Sequence, residues 1–269
     1  MPSIACRFLR AARVAARISV LCAFVPLSAH AADYTDLWWT PSESGWGVTL
    51  VQSDSFIFLS FFIYGEGNKP TWYTAELRPD AQGGYSGGVY LSMGTDYTKP
   101  WNPGDRTSAQ QVGSAQFRPS AANSYQATLT YVVNNVVYTK AIERMALTPI
   151  NLAGSYVGGL AAVKNGCSSA SSYTPTYDLQ VTQTPAGAFS LAFVFPAYAC
   201  TLTGTLLQTG SQYQATGAEY RCTQGNTTVL ATTANVAELK ATAQGIEGRW
   251  VAPVAGGCTE TAYFSAVLL

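Results

Sequence analysis

Trp38-Trp39-Thr40-Pro41-Ser42-Glu43-Ser44-Gly45-Trp46-Gly47 runs directly into Val48-Thr49-Leu50-Val51. The second part decides the fold class. From Trp46 onward the side chains alternate with period two, the pattern of a strand with one buried face. The first part is a turn: Pro41 restricts φ, and Gly45 and Gly47 permit close backbone approach. Three tryptophans in nine residues concentrate large rings with hydrogen-bonding edges where the strand begins.

Outward from this stretch the chain reads as β throughout. Phe56–Tyr64 is nearly all apolar, which predicts a strand covered on both faces. Gly65-Glu66-Gly67-Asn68 is a turn, and further strands are predicted over 71–77, 84–93, 125–133 and 136–145. Asn134-Asn135 joins the last two as a two-residue hairpin, because Asn tolerates positive φ. After residue 150 the style repeats over 177–183, 189–195, 201–208, 213–222, 248–251 and 261–268, punctuated by Gly and Pro as in sandwiches and barrels. Residues 231–243 form the one helical candidate, with Val236 and Leu239 facing inward. Ser124-Tyr125-Gln126-Ala127-Thr128 returns as Gln212-Tyr213-Gln214-Ala215-Thr216, a short echo that either duplication or convergence of β-propensity explains. The expected fold is all-β: two mostly antiparallel β-barrel or β-sandwich domains in tandem.

The boundaries follow from composition. Residues 1–17 carry four arginines and no acid, residues 18–28 are mostly apolar, and Ala29-His30-Ala31 is an A-x-A-like site. These are the three parts of a secretory signal, with cleavage expected after Ala31. Cys22 follows Leu21 rather than Gly or Ala, so no lipid anchor is expected. A Trp-rich β domain is expected over 32–148 and a disulfide-containing β domain over 149–269. Five of six tryptophans fall in the first, and Cys167, Cys200, Cys222 and Cys258 all fall in the second. An even cysteine count in an exported chain reads as two disulfides, with three pairings open. The expected location is periplasmic or extracellular.

Composition also excludes chemistry. Only 11% of the 269 residues are charged, and 12% are aromatic, the reverse of a disordered chain. Four of the fifteen basic residues lie in the signal, so the remainder has eleven basic against fifteen acidic residues, a net charge of −4. With no basic cluster, nucleic acid is not an expected partner. His30, the sole histidine, lies in the signal. Its loss removes Ser-His-Asp and Cys-His nucleophilic sites, the common zinc sites and imidazole pH switching. Catalysis by carboxylates, Tyr or Lys stays open, but no catalytic residue is singled out and no metal or cofactor is expected. Gly83-Gly84-Tyr85-Ser86-Gly87-Gly88 is a turn into a strand; no helix or G-K-[ST] follows to make it a phosphate loop.

The segment 38–47 resembles a W-W-x-P-x-E-S-G-W-G motif seen in exported proteins of Gram-negative bacteria, and Pro70-Thr71-Trp72-Tyr73 resembles the P-x-W-Y that follows it there. Thr40 stands where Asn is usual. The resemblance spans about 37–77 and implies export and a β fold. Ser44-Gly45-Trp46, with Arg144 on a late strand, loosely resembles the calycin (lipocalin and avidin-like) barrels. There a basic residue of the last strand covers the Trp of a G-x-W. In the second half Ala153-Gly154-Ser155-Tyr156 keeps the spacing with Tyr for Trp.

Three functional readings remain. The first is an exported, non-catalytic binding protein with an aromatic surface made of Trp38, Trp39, Trp46, Trp72, Tyr73 and Trp101, and Glu43 as polar anchor. Rings on a β face stack on sugars or insert into an apolar partner, so carbohydrate or another exported protein is the expected partner. Trp38, Trp39 and Trp101 lie near Pro in predicted loops. Trp46 and Trp72 lie in predicted strands, where core packing competes. The second reading is a small β-sandwich glycoside hydrolase with carboxylates drawn from Glu43, Glu66, Glu76 and Glu143. The third is an envelope-associated structural protein. Neither face of the last strand is polar enough for a barrel lumen, so membrane insertion is not expected.

Overall fold

A computed structural model describes residues 32–106, 109–167 and 170–269. The expected signal and its cleavage point fall on 1–31, outside the described residues. Asp33–Leu269 forms one compact unit. Its described residues form strands and two short 3-10 turns, Glu66–Asn68 and Pro103–Asp105. No helix among the described residues is long and apolar enough to cross a membrane.

The first eight strands are β1 (Asp36–Trp39), β2 (Gly47–Ser53), β3 (Phe56–Tyr64), β4 (Pro70–Pro79), β5 (Tyr85–Leu91), β6 (Gln110–Pro119), β7 (Gln126–Val133) and β8 (Val136–Arg144). They pair antiparallel in chain order and close into a barrel where Trp38 meets Arg144 and Trp39 meets Glu143. Alternation explains the closure. Val48 and Leu50, Ile57, Leu59 and Phe61, Ala75 and Leu77, and Leu129 and Tyr131 all point inward and are buried. The Asn134-Asn135 hairpin is as expected, with φ of 49° and 67°.

Ten strands follow: β9 (Gly154–Asn165), β10 (Ser171–Tyr173), β11 (Thr176–Gln183), β12 (Ala188–Val194), β13 (Ala199–Thr205), β14 (Leu207–Thr209), β15 (Gln212–Gln224), β16 (Thr227–Ala241), β17 (Gly245–Val254) and β18 (Cys258–Leu268). Eight of them form a second antiparallel barrel that closes by β18 pairing with β9. β10 and β14 lie off this ring, paired with β9 and β15. Its core is aromatic: Trp250 packs against Phe193, Tyr220 and Phe264 at centroid distances of 5.3–5.8 Å.

Four expectations are corrected. β3 is covered on one face only: Phe58 and Phe62 are exposed on the outer wall. Trp38 and Trp39 lie in β1 rather than in a loop. The helical candidate at 231–243 belongs to a strand, β16. Val236 and Leu239 are both buried because Glu238, at φ 55°, forms a bulge that shifts the alternation by one residue. A strand with a bulge thus imitates the i, i+3 spacing of a helix. Finally, the echoed pentapeptides begin β7 and β15, the seventh strand of one barrel and the fifth ring strand of the other, which are not equivalent positions.

The barrels meet through polar contacts. Asp36 Oδ2 accepts from Arg144 Nη1 at 3.0 Å, and from the Ser211 amide and hydroxyl at 2.9 Å each. The Glu238 amide donates to Tyr125 Oη at 2.7 Å, and Lys240 Nζ lies 3.3 Å from Asp33 Oδ2.

Candidate functional site

The two ends of the first barrel differ. At the end facing Ser211, the fully buried Trp38 fills the interior beneath Arg144. At the other end, the β1–β2, β3–β4 and β7–β8 connections surround a mouth of about 530 Å³.

The mouth is built by strand alternation. Trp46 precedes Val48 and Leu50 on the inner face. Tyr131 continues the inner row of Leu129, and Tyr138 and Lys140 continue that of Ile142 and Arg144. Trp46 stacks on Tyr131 at 6.4 Å and 21°, and its Nε1 donates to Tyr131 Oη at 3.2 Å. Tyr131 stacks in turn on Tyr138 at 5.0 Å and 20°. Lys140 Nζ sits 5.6 Å above the Trp46 ring and pairs with Glu43 Oε2. Burial pushes the Tyr131 phenol above its ordinary range, against the lowering effect of the Trp46 hydrogen bond and the Lys140 charge, so it stays protonated at neutral pH. The result is three rings in series with an ion pair at their edge.

Of the sequence-predicted residues, the mouth brings together Glu43, Trp46 and Tyr73. Trp38 is fully buried, which corrects its expected place on an exposed surface: its indole edge donates to the Tyr34 carbonyl at 3.0 Å, inside the closed end. Trp39 and Trp72 face outward. Register places Trp39, Gly47, Phe62 and Trp72 in one row across four strands of the outer wall, where Trp72 is 61% exposed. Trp101 is 68% exposed and lies between β5 and β6, outside the residues that line the mouth. Of the proposed acids, Glu43 and Glu66 line the mouth, while Glu76 and Glu143 lie on the outer face of their strands.

The calycin-like pairing is corrected in its partner. Arg144 covers Trp38, not Trp46; Lys140 is the cation over Trp46. Sequence reasoning missed Tyr131 as a mouth residue, and also Tyr138 and Lys140. The even-numbered spacing of Tyr138 and Lys140 with Ile142 and Arg144 was the available signal, since one inner face is shared along a strand. The four cysteines form two disulfides, Cys167–Cys258 and Cys200–Cys222, both in the second barrel. Among the described residues no group of three or more His, Cys, Asp or Glu is placed to hold a metal ion.

No family model matches the chain, and no curated protein matches it. Among solved structures it is similar to a protein of unknown function of the DUF3598 family from Nostoc punctiforme, at 10% identity and TM-score 0.28, over 87% of this chain and 93% of that one. It is also similar to transferrin-binding protein B from Haemophilus parasuis, at 9% identity and TM-score 0.30, over 85% of this chain and 66% of that one. The corresponding protein from serogroup B Neisseria meningitidis has 10% identity and TM-score 0.31, over 84% of this chain and 66% of that one. Likeness at this level carries no information about ligand or partner.

Proposed function

We propose that this protein is exported and acts as a non-catalytic binding protein, with the aromatic mouth of the first barrel as its recognition site. The observation that carries the reading is the series Trp46, Tyr131, Tyr138 beside the Glu43–Lys140 pair. Flat rings supply apolar stacking area at low entropic cost, and the ion pair at their edge supplies directional polar contacts. A ligand with a flat apolar face and hydroxyls at its rim matches both, and a sugar ring has that shape. Export is supported by the arrangement of residues 1–31 and by two disulfides in the second barrel.

The hydrolase reading has less support. Of its four acids only Glu43 and Glu66 line the mouth, Glu43 is engaged by Lys140, and Glu76 and Glu143 lie on the outer wall.

The test is calorimetric titration of cellohexaose, chitohexaose and xylohexaose into the wild type and Trp46→Ala. Saturable binding of one of them, weakened at least ~10-fold in the variant, is expected from loss of one stacking platform. Failure of all three to bind, or equal binding by folded Trp46→Ala, overturns the carbohydrate assignment at this mouth.

A further inference from the structure

The second barrel has a mouth of its own, at the end formed by the β12–β13, β15–β16 and β17–β18 turns, and its floor holds a buried acid. Glu260 shares the inner face of β18 with Ala262, Phe264 and Ala266 and is 2% exposed. An apolar side chain would suit such a position, since a buried carboxylate is costly unless paired. Three neutral donors hold it. Tyr173 Oη donates to Oε2 at 2.5 Å, and Tyr220 Oη and Trp250 Nε1 donate to Oε1 at 3.2 Å each. Above them is a cavity of about 490 Å³, walled by Phe195, Tyr198 and the Cys200–Cys222 disulfide.

Two features give this pocket a preference of charge. Each phenol has one proton: Tyr173 gives its to Glu260, and Tyr220 directs its at Glu260 at 3.2 Å, with Cys200 Sγ a more distant acceptor at 4.0 Å. What their oxygens have left to offer is lone pairs. Burial first, then Glu260, pushes both phenols above their ordinary range, so those protons stay in place at neutral pH. Lys164 already marks where a cation is favoured. Its Nζ lies 5.5 Å over the Tyr173 ring and 4.0 Å from Glu260 Oε2, beyond hydrogen-bond reach, on a side chain that is 37% exposed. It is a loosely held counter-ion that a better-fitting one can displace.

We propose that this pocket binds a small organic cation, an ammonium group on an apolar body, with the charge taken by Glu260 and the Tyr oxygens and the body packed on Phe195 and Tyr198. Those two rings are stacked at 4.5 Å and offer an apolar face beside the acid. A cation over aromatic faces and near a carboxylate in a low-dielectric cavity gains from both. An anion of the same shape is repelled by Glu260. This site shares no residue with the mouth of the first barrel, and the inference stands independently of the function proposed there.

The test is calorimetric titration of phenethylammonium, phenethyl alcohol and phenylacetate into the full chain with its disulfides intact. Phenethylammonium is expected to bind saturably, at least ~10-fold more tightly than the alcohol, and phenylacetate not at all. Lys164→Ala removes the competing ammonium from an exposed side chain and should raise phenethylammonium affinity several-fold. Glu260→Gln should lower it at least ~10-fold. Absence of saturation in the millimolar range, equal binding of amine and alcohol, or unchanged affinity in Lys164→Ala overturns the proposal. If Glu260→Gln does not fold, the Lys164→Ala titration and the amine–alcohol comparison decide the question.

Discussion

The guanidinium carbon of Arg144 lies 5.0 Å from the centre of the Trp38 ring. The two residues are also backbone partners at the β1–β8 seam that closes the first barrel. Arg144 is fully buried there. It donates to the carbonyls of Ser124, Thr35 and Asp33 and to the Asp36 carboxylate, which in turn accepts from Ser211 in the second barrel. One side chain thus covers the ring that fills the barrel, satisfies the backbone around the seam and orients the acid at the junction.

Removing Arg144 should therefore be severe. Arg144→Ala leaves Asp36 and three carbonyls without this donor and is expected to cost about 3–5 kcal/mol. Arg144→Lys should recover little, because an ammonium lacks the planar fork that spans these acceptors. Urea unfolding of the three proteins measures this, and a Lys variant as stable as the wild type would refute it.

The tryptophans should separate by position. Trp38→Ala opens a cavity in a packed barrel and is expected to cost about 3–5 kcal/mol. Acrylamide should quench Trp72 and Trp101, at 61% and 68% exposed, and leave Trp38 and Trp250 shielded. The Trp72→Phe, Trp101→Phe double variant should lose most of the readily quenched emission. Retention of that emission would contradict the placement of these rings.

The β7–β8 hairpin gives a backbone test. Asn134 and Asn135 both have positive φ. An Ala at either site should cost about 1–2 kcal/mol, because a Cβ without a polar side chain is disfavoured in the left-handed region. Asn135→Gly should be neutral or stabilising. Thermal melts of the three variants report the order.

Acid should loosen the contact between Asp33 and Lys240. Burial acts to raise the Asp33 carboxyl, but hydrogen bonds from Thr35 and the Lys240 charge outweigh it and hold the group below its ordinary 3.8. Its contribution is fully present above that value and is lost as pH falls through the lower folded one. Both groups are partly exposed, so the effect stays below about 1 kcal/mol. Asp33→Asn should melt lower than the wild type at pH 7, and the difference should shrink as pH falls below 3.8. A difference independent of pH would assign the effect to something other than charge.

The two disulfides should differ in worth. Cys167–Cys258 spans 91 residues and Cys200–Cys222 spans 22. On loop entropy alone, replacing the first pair by Ser should cost about 1 kcal/mol more than replacing the second. Urea unfolding of the two double variants, each compared with the wild type, gives the order.

Much of the fold was legible locally. Alternation from Trp46 to Val51, the Asn134-Asn135 turn and the apolar run Phe56–Tyr64 each state their own conformation, because side-chain period and turn chemistry act over a few residues. The paired cysteines stated two bridges, but not which pairs. What a strand's outer face meets, and whether an eighth strand returns to the first, depend on residues a hundred positions apart. Trp38 and Trp46 have the same chemistry and are eight residues apart. Only closure of the barrel makes one a buried plug under Arg144 and the other the wall of an open mouth. The same holds for Glu260, an ordinary glutamate in an alternating strand until Tyr173, Tyr220 and Trp250 converge on it from three other strands. Composition and period act through neighbours along the chain, and the sites arise from neighbours across it.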